Sequence, residues 1–446
     1  MNSKKGCSAH WQRWGYHITS NIQSRILPYE AFRSALKARE QLQKITESIF
    51  DGGNIYLEGS IVTTGLMEKG SDLDMNCITS TYGSVPDAKT AGKLSDKLYH
   101  KIKYSIPSQS RIQHIDMVRI PLVKYDANTS PQVTESILTQ LTSEREKNSR
   151  TAYFNFSFNL NSKKETDLKN LLRSTGCAIE EMNLDNRNGS AVFTFRTAST
   201  NDTLRCLGVL PDGKSGIISK STKDRYTRGT PSPFDLPELL RFSFDVTFLG
   251  YAVRNSYLIR KYLNDSRGPK VSRICQMAIK RWGKVTEFGV GAKGNLTSYG
   301  MTIMWIYFLL RTGQVGWYDP WKIPDALFLP QYPDFIPLDE NVDYESVASQ
   351  LHEFFMFYSK FDFRNEVISL SRSRNSTRSD VGWNFLKREK FNFLLCIEDP
   401  YEDDLNCARR IDARKLEWFK DLCQKALQNM SGPPETHLER VIGRAT

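Results

Sequence analysis

Among its 446 residues the chain has eight cysteines but no C-x-x-C pair, and its six histidines are scattered. No zinc-ligand spacing results, which excludes zinc-finger and zinc-ribbon modules, and the thiols read as buried or free in a reducing compartment. Long apolar runs are also missing. The longest, around residues 304–310, falls far short of the roughly 20 residues that a membrane span needs, so no membrane protein is expected. Acidic residues are absent from residues 1–29, which carry Lys4, Lys5, Arg13 and Arg25. That segment is expected to be a basic N-terminal arm or a mitochondrial transit segment, and the protein mitochondrial. What is present is the composition of a globular protein long enough for two or three domains. The formal charge of +11 favours a polyanionic partner, nucleic acid before a membrane surface.

Helical spacing begins at Glu30 and runs to the Asp51-Gly52-Gly53 turn. A strand at 55–57, the Gly59-Ser60 turn and a strand at 72–78 follow. "DAKTAGKLSDKLYHKIKYSI" is a basic amphipathic helix, and "RIQHIDMVRIPLVKY" is strand-rich. From 126 to 235 polar stretches separate a β-α-β-β-α order, which is the split βαβ signature of a ferredoxin-like module. The α/β pattern resumes with "LRFSFDVTF", so 126–235 reads as an insertion into an interrupted domain of residues 30–125 and 236–250. Residues 251–430 are mostly helical, and 431–446 read as a polar tail.

Chemistry concentrates in "LEGSIVTTGLMEKGSDLDMNCI". The alternation of Ser71-Asp72-Leu73-Asp74-Met75 puts both carboxylates on one strand face, where they repel unless a cation or solvent intervenes. The Gly59-Ser60 turn lets backbone N–H groups and a hydroxyl approach a triphosphate. Two strand carboxylates can hold a pair of Mg²⁺ (or Mn²⁺) ions, and such a site needs a third carboxylate on a neighbouring strand. Asp245 in "FSFDVTF" has that setting.

Gly59-Ser60 followed by Asp72-Leu73-Asp74 resembles the signature of the DNA polymerase β nucleotidyltransferase superfamily. With "GYAVRNSYLIRKYL", "AIKRWGKVTEFG", "GNLTSYGMTIMWIYFLL" and "CIEDPYEDDLN" in order, the chain resembles the terminal uridylyltransferases of kinetoplastid RNA editing. The resemblance covers roughly residues 50–430 apart from the insertion, and an insertion at that place marks mitochondrial members. It implies an α+β fold: a polymerase β-like nucleotidyltransferase domain split by a ferredoxin-like module, plus a helical poly(A)-polymerase-type domain. Asp72, Asp74 and Asp245 would be catalytic and hold Mg²⁺ or Mn²⁺. Gly59, Ser60, Ser71, Asn255, Ser256, Lys280, Lys284 and Ser298 would hold the nucleotide. Tyr299 would stack on the base, and Asp399 and Glu402 would accept, through water, from the uracil N3–H. Arg111 and Arg119 would line an RNA path. The implied substrates are UTP and single-stranded or gapped RNA 3′ ends, with a multi-subunit editing complex docked through the insertion. The rival readings are a poly(A) polymerase of the same superfamily and a catalytically silent RNA-binding subunit.

Overall fold

The computed structural model describes residues 2–105, 111–116, 118–127, 236–338, 341–383, 394–402 and 405–444. Between 127 and 236 it describes residues 139, 143, 151–155, 166, 170, 178–185, 190–196 and 219–220.

Helix α1 (Asn2–Gln23) opens the chain, followed by α2 (Tyr29–Glu47), β1 (Asn54–Leu57), the short α3 (Ser60–Thr64), β2 (Leu73–Ile78), α4 (Ala88–Ser105), β3 (Ile112–Ile115) and β4 (Leu122–Tyr125). Among the described residues between 127 and 236 there are four strands: β5 (Thr151–Asn155), β6 (Ile179–Asp185), β7 (Ser190–Phe195) and β8 (Ser219–Lys220). After them β9 (Phe244–Thr247) returns to the first sheet, whose order is β1-β2-β9-β4-β3. Only β2 and β9 run parallel; the other neighbours are antiparallel.

Alternation along the strands gives this sheet two different faces. Leu73, Met75 and Cys77 of β2, with Val123, Phe244 and Val246, join the apolar stripe of α2 (Phe32, Ala35, Ala38, Leu42 and Ile45) in one buried core. On the other face Tyr56 and Ile78 enter a second core formed with the helical part of the chain. That part comprises α5 (Tyr251–Asp265), α6 (Pro269–Val285), α7 (Ser298–Arg311), α8 (Tyr344–Ser359), α9 (Ala413–Ser431) and α10 (Pro434–Ile442). The face that carries Asp74 and Asp245 is therefore turned toward the helices.

Residues 2–23 are not a loose basic arm. Trp14, Ile18 and Ile22 recur at helical spacing, are fully buried in the helical core, and Trp14 donates to the Gly432 carbonyl at 2.8 Å. Nor is 431–446 a loose tail: α10 buries Val441 and Ile442, and Asn21 donates to Gly443 O at 3.1 Å. Both segments look polar in composition but carry a narrow apolar stripe.

Within the insertion the sheet order is β6-β7-β5-β8, all antiparallel. Taken as first to fourth strands, that is the 4-1-3-2 arrangement of a ferredoxin-like sheet. Of the expected first helix only Thr166 and Asn170 are described, both helical, and the second lies outside the described residues. The ends of the insertion meet because β4 pairs with β9, setting Tyr125 opposite Phe244, and Ala127 N–H donates to Ser243 Oγ at 3.1 Å.

Candidate active site

Register brings the charged residues level. Glu58, just past β1, donates its N–H to Asp74 O at 2.9 Å. Asp74 pairs with Asp245 across β2 and β9, and Asp245 pairs with Lys124 across β9 and β4. One row across the sheet thus reads Glu58, Asp74, Asp245, Lys124, with Asp72 one step earlier on the same face. The cation that the paired aspartates require is Lys124. Its ammonium lies 3.0 Å from Asp245 Oδ1 and 3.5 Å from Asp72 Oδ2.

The row is electrostatically tense. Burial and then the charge of Asp245 push the Asp74 carboxyl up to about 6. Burial, then the charge of Asp74, raises Glu58 to about 8. Asp245 is raised by burial and held back by Lys124. For Lys124 burial opposes the charge, but its bond to Asp245 and the two aspartates outweigh it and raise the ammonium. Glu58 Oε1 accepts from Thr247 Oγ1 at 3.4 Å, whereas its buried Oε2 has no partner. Because folded Glu58 keeps a proton that the unfolded chain releases, metal-free stability falls as pH rises from the ordinary carboxylate range through about 8. Glu58→Gln is expected to flatten that limb and raise Tm at its alkaline end. Melting curves in chelator from about pH 5 to pH 9 measure it, and superimposable curves for variant and parent would sink the assignment.

Gly59 turns the chain from β1 into α3 with φ +69° and ψ −144°. Its N–H donates to Ser256 Oγ at 2.9 Å, tying the sheet to α5. Beside it opens a cavity of about 460 Å³, within the range of small-ligand sites. Gly59, Ser60, Asp74, Asn255, Ser256, Lys280, Ser298, Tyr299, Asp399, Glu402 and Arg119 all line it. Ser71 sits in the turn before β2, with its N–H on Glu68 O, and does not line the cavity. Lys284 lies one turn beyond Lys280, off the lining, its ammonium lowered by burial and by Lys280. Arg111 donates to Ala127 O at 2.9 Å near the insertion and stays away from the cavity.

At the far wall Asp399 is saturated. Its Oδ1 accepts from the N–H groups of Tyr401 and Glu402 at 2.9 and 3.0 Å. Its Oδ2 accepts from Tyr299 O–H at 2.9 Å and Asn255 Nδ2 at 3.3 Å. With four acceptor positions filled, Asp399 positions Tyr299 and Asn255 and has none left for a base. Glu402 is ion-paired with Arg119, across the cleft from the catalytic sheet. Asn255 Oδ1 and Gln276 Oε1 on this wall are buried acceptors without a partner. Arg254 braces the loop from α5, stacked on Tyr401 at 4.3 Å and Trp321 at 5.0 Å.

Sequence reading missed Glu58 and Lys124 of the row and, among the residues that line the cavity, Gln276, Thr302, Arg409 and Arg410. The signal for Glu58 was a charge directly after an apolar strand; for Lys124 it was a lysine alternating with buried Val123 and Tyr125. Among the described residues no three His, Cys, Asp or Glu side chains converge closely enough to hold a metal as they stand. Asp72 and Asp245 instead flank the Lys124 ammonium. The all-oxygen donor set of the three aspartates on one face, with the Asp74 and Asp245 carboxyls raised, fits a hard divalent cation such as Mg²⁺ or Mn²⁺.

Two families match the chain. Residues 17–141 match the mitochondrial-like poly(A) RNA polymerase central palm domain, and residues 346–405 match the Cid1 family poly A polymerase. Terminal uridylyltransferase 1 of Trypanosoma brucei brucei is 27% identical over 93% of this chain and 44% of its own length. Terminal uridylyltransferase 4 of the same organism is 33% identical over 41% of this chain and 57% of its own. The chain thus spans less than half the length of the first of these relatives. The solved structure of RNA editing TUTase 1 from Trypanosoma brucei in complex with UTP shares the fold. Its TM-score is 0.67 at 23% identity, covering 96% of this chain and 88% of that one. With its five-stranded sheet, helical domain and row of strand carboxylates, the chain has the fold of the polymerase β-like nucleotidyltransferases and is similar to the terminal uridylyltransferases.

Proposed function

We propose that this protein is a UTP-dependent RNA uridylyltransferase that adds uridylate to RNA 3′-hydroxyl ends. The observation that carries the proposal is the carboxylate row of Asp74 and Asp245, with Asp72, of which Asp74 lines a cavity whose other wall holds Tyr299 and Asn255. Mg²⁺ or Mn²⁺ held by Asp72, Asp74 and Asp245 would supply charge neutralisation on the phosphates and activation of the attacking hydroxyl. Ser60 and Ser298, each opening a helix, and Lys280 face the triphosphate, so the leaving pyrophosphate is met by N–H groups and an ammonium. Tyr299, its hydroxyl pinned by Asp399, offers a ring face to the base. Asn255 Oδ1 offers the acceptor for the uracil N3–H or a ribose hydroxyl.

Its partners in this reading are UTP and RNA 3′ ends, and its setting is mitochondrial RNA editing or processing, with the insertion as the docking module for a larger complex. The net charge of +11 supports an RNA partner. A catalytically silent role fits poorly, because the Asp74 carboxyl, raised by burial and by Asp245, burdens the fold. A poly(A) polymerase is the second reading, favoured by the descriptions of both matching families. Purified protein incubated with labelled RNA and each nucleotide separates them: a ladder with UTP alone supports uridylylation, and one with ATP alone overturns it.

Base choice has its own test. Asp399→Ala is expected to reduce preference for UTP by about 1–3 kcal/mol, roughly 5- to 150-fold in kcat/KM, because Tyr299 and Asn255 lose their common anchor. Glu402→Ala is expected to cost less, since Arg119 is its partner. Equal nucleotide preference in parent and Asp399→Ala would remove that loop from the base pocket.

A further inference from the structure

Lys124 stands where the site's own chemistry leaves least room for it. Its ammonium lies between two carboxylates of the proposed metal site, bonded to Asp245 and 3.5 Å from Asp72. Strand register puts it there, since Lys124 is the direct partner of Asp245 across β4 and β9. Asp74, the central carboxylate, belongs to no ion pair that Lys124 makes, so the lysine spans the outer pair. The arrangement is not sealed. About a third of the Lys124 side chain is exposed, as is nearly half of Asp72, so the flexible stem has a way out to solvent.

We propose that Lys124 is a positioning residue that sets the metal affinity of this site. In the metal-free protein its ammonium neutralises Asp72 and Asp245, and it withdraws when a divalent cation takes the same carboxylates. Two like charges within about 4 Å repel at any dielectric a protein offers, so ammonium and cation compete for one position. The lysine keeps the carboxylates charge-balanced until a cation arrives with the nucleotide. Metal binding is weakened in consequence, and the metal-free protein is stabilised. The inference rests on reading Asp72, Asp74 and Asp245 as metal ligands.

Lys124→Met keeps the stem and removes the charge. Calorimetric titration of the nucleotide-free protein with Mn²⁺ is expected to show binding at least about tenfold tighter in the variant than in the parent. In chelator the variant is expected to melt lower than the parent, and its Tm gain on adding Mn²⁺ to be larger. Lys124→Gln, a polar neutral side chain, should repeat the result and serves if the Met variant does not fold. Unchanged Mn²⁺ affinity with a lowered Tm would overturn the proposal and leave Lys124 a purely structural bridge. Unchanged Mn²⁺ affinity with a raised KM for UTP would overturn it in favour of a phosphate contact. If the parent binds no Mn²⁺ and Asp74→Asn changes nothing, the metal-site reading falls as well. If the parent binds Mn²⁺ and loses it in Asp74→Asn while Lys124→Met matches the parent, only the role of Lys124 falls.

Discussion

Asp74→Ala is expected to lower nucleotide addition by at least about a thousandfold, some 4 kcal/mol of transition-state stabilisation, while the protein stays folded. Asp74 is the middle of the row, in register with Asp245 and bonded through its backbone to Glu58. No neighbouring carboxylate can replace it, because Glu58 is buried against Thr247 and Asp72 and Asp245 are drawn to Lys124. Stability should move the other way. The Asp74 carboxyl is raised to about 6, chiefly by burial and then by Asp245, so at neutral pH its ionised form burdens the metal-free fold. A shift of that size corresponds to on the order of 1–3 kcal/mol, an upper bound within a coupled cluster. In chelator near neutral pH the variant is therefore expected to melt at or above the parent's temperature. Near pH 4, where the parent's Asp74 is itself mostly protonated, the advantage should vanish. Product sizing on labelled RNA and melting curves together decide the matter. A variant that retains parental activity removes Asp74 from catalysis, and one that melts far lower makes it structural. Loss of function with a gain in stability is the usual trade at a preorganised charged site.

How much of this was legible in the chain depends on the range of the contact. The Asp72/Asp74 face follows from alternation within five residues, and the setting of Asp245 from alternation within seven. The contact of Lys124 with Asp245 depends on an antiparallel register closed across 121 positions, which no local period can reveal. Asp399 shows a similar limit. Its type and motif place it at the base pocket, but only the folded loop shows that its oxygens are filled by Tyr299, Asn255 and two backbone N–H groups. The terminal segments failed for another reason. Their net composition is polar, yet Trp14, Ile18 and Ile22 four residues apart were a readable stripe, and charge count obscured it. The strands of the first sheet were easier to infer because one face packs against α2, and that burial ties each strand's alternation to one core.

Gly59→Ala is expected to match Asp74→Ala in lost activity and oppose it in stability. Gly59 holds φ +69° and ψ −144°, a region open in practice only to glycine, and forcing an alanine there costs about 1–3 kcal/mol. Space is the second obstacle. A Cβ on Gly59 would lie 2.4 Å from Asp74 Oδ2 and 3.3 Å from the Asp74 Cβ and Cγ. Side chain and backbone cannot both stay in place, so either the Asp74 carboxylate is pushed out of line with Asp245 or the turn into α3 opens. An opened turn would also pull the Gly59 N–H from Ser256 Oγ, loosening the sheet from α5 along the wall of the cavity. A shift of about 1 Å at a reacting centre is enough for roughly a hundredfold loss, and a displaced metal ligand adds to it. In chelator the variant is expected to melt below the parent, whereas Asp74→Ala melts at or above it. Ser256→Ala separates the two mechanisms, since it removes the bond to Gly59 N–H, worth about 1 kcal/mol, and leaves the turn and Asp74 untouched. If Gly59→Ala and Ser256→Ala lose equal activity, the tether between the domains governs the site. If Gly59→Ala melts and turns over like the parent, the close approach of Gly59 to Asp74 has no part in catalysis. A large loss confined to Gly59→Ala, with a lowered Tm, assigns the effect to the displaced carboxylate.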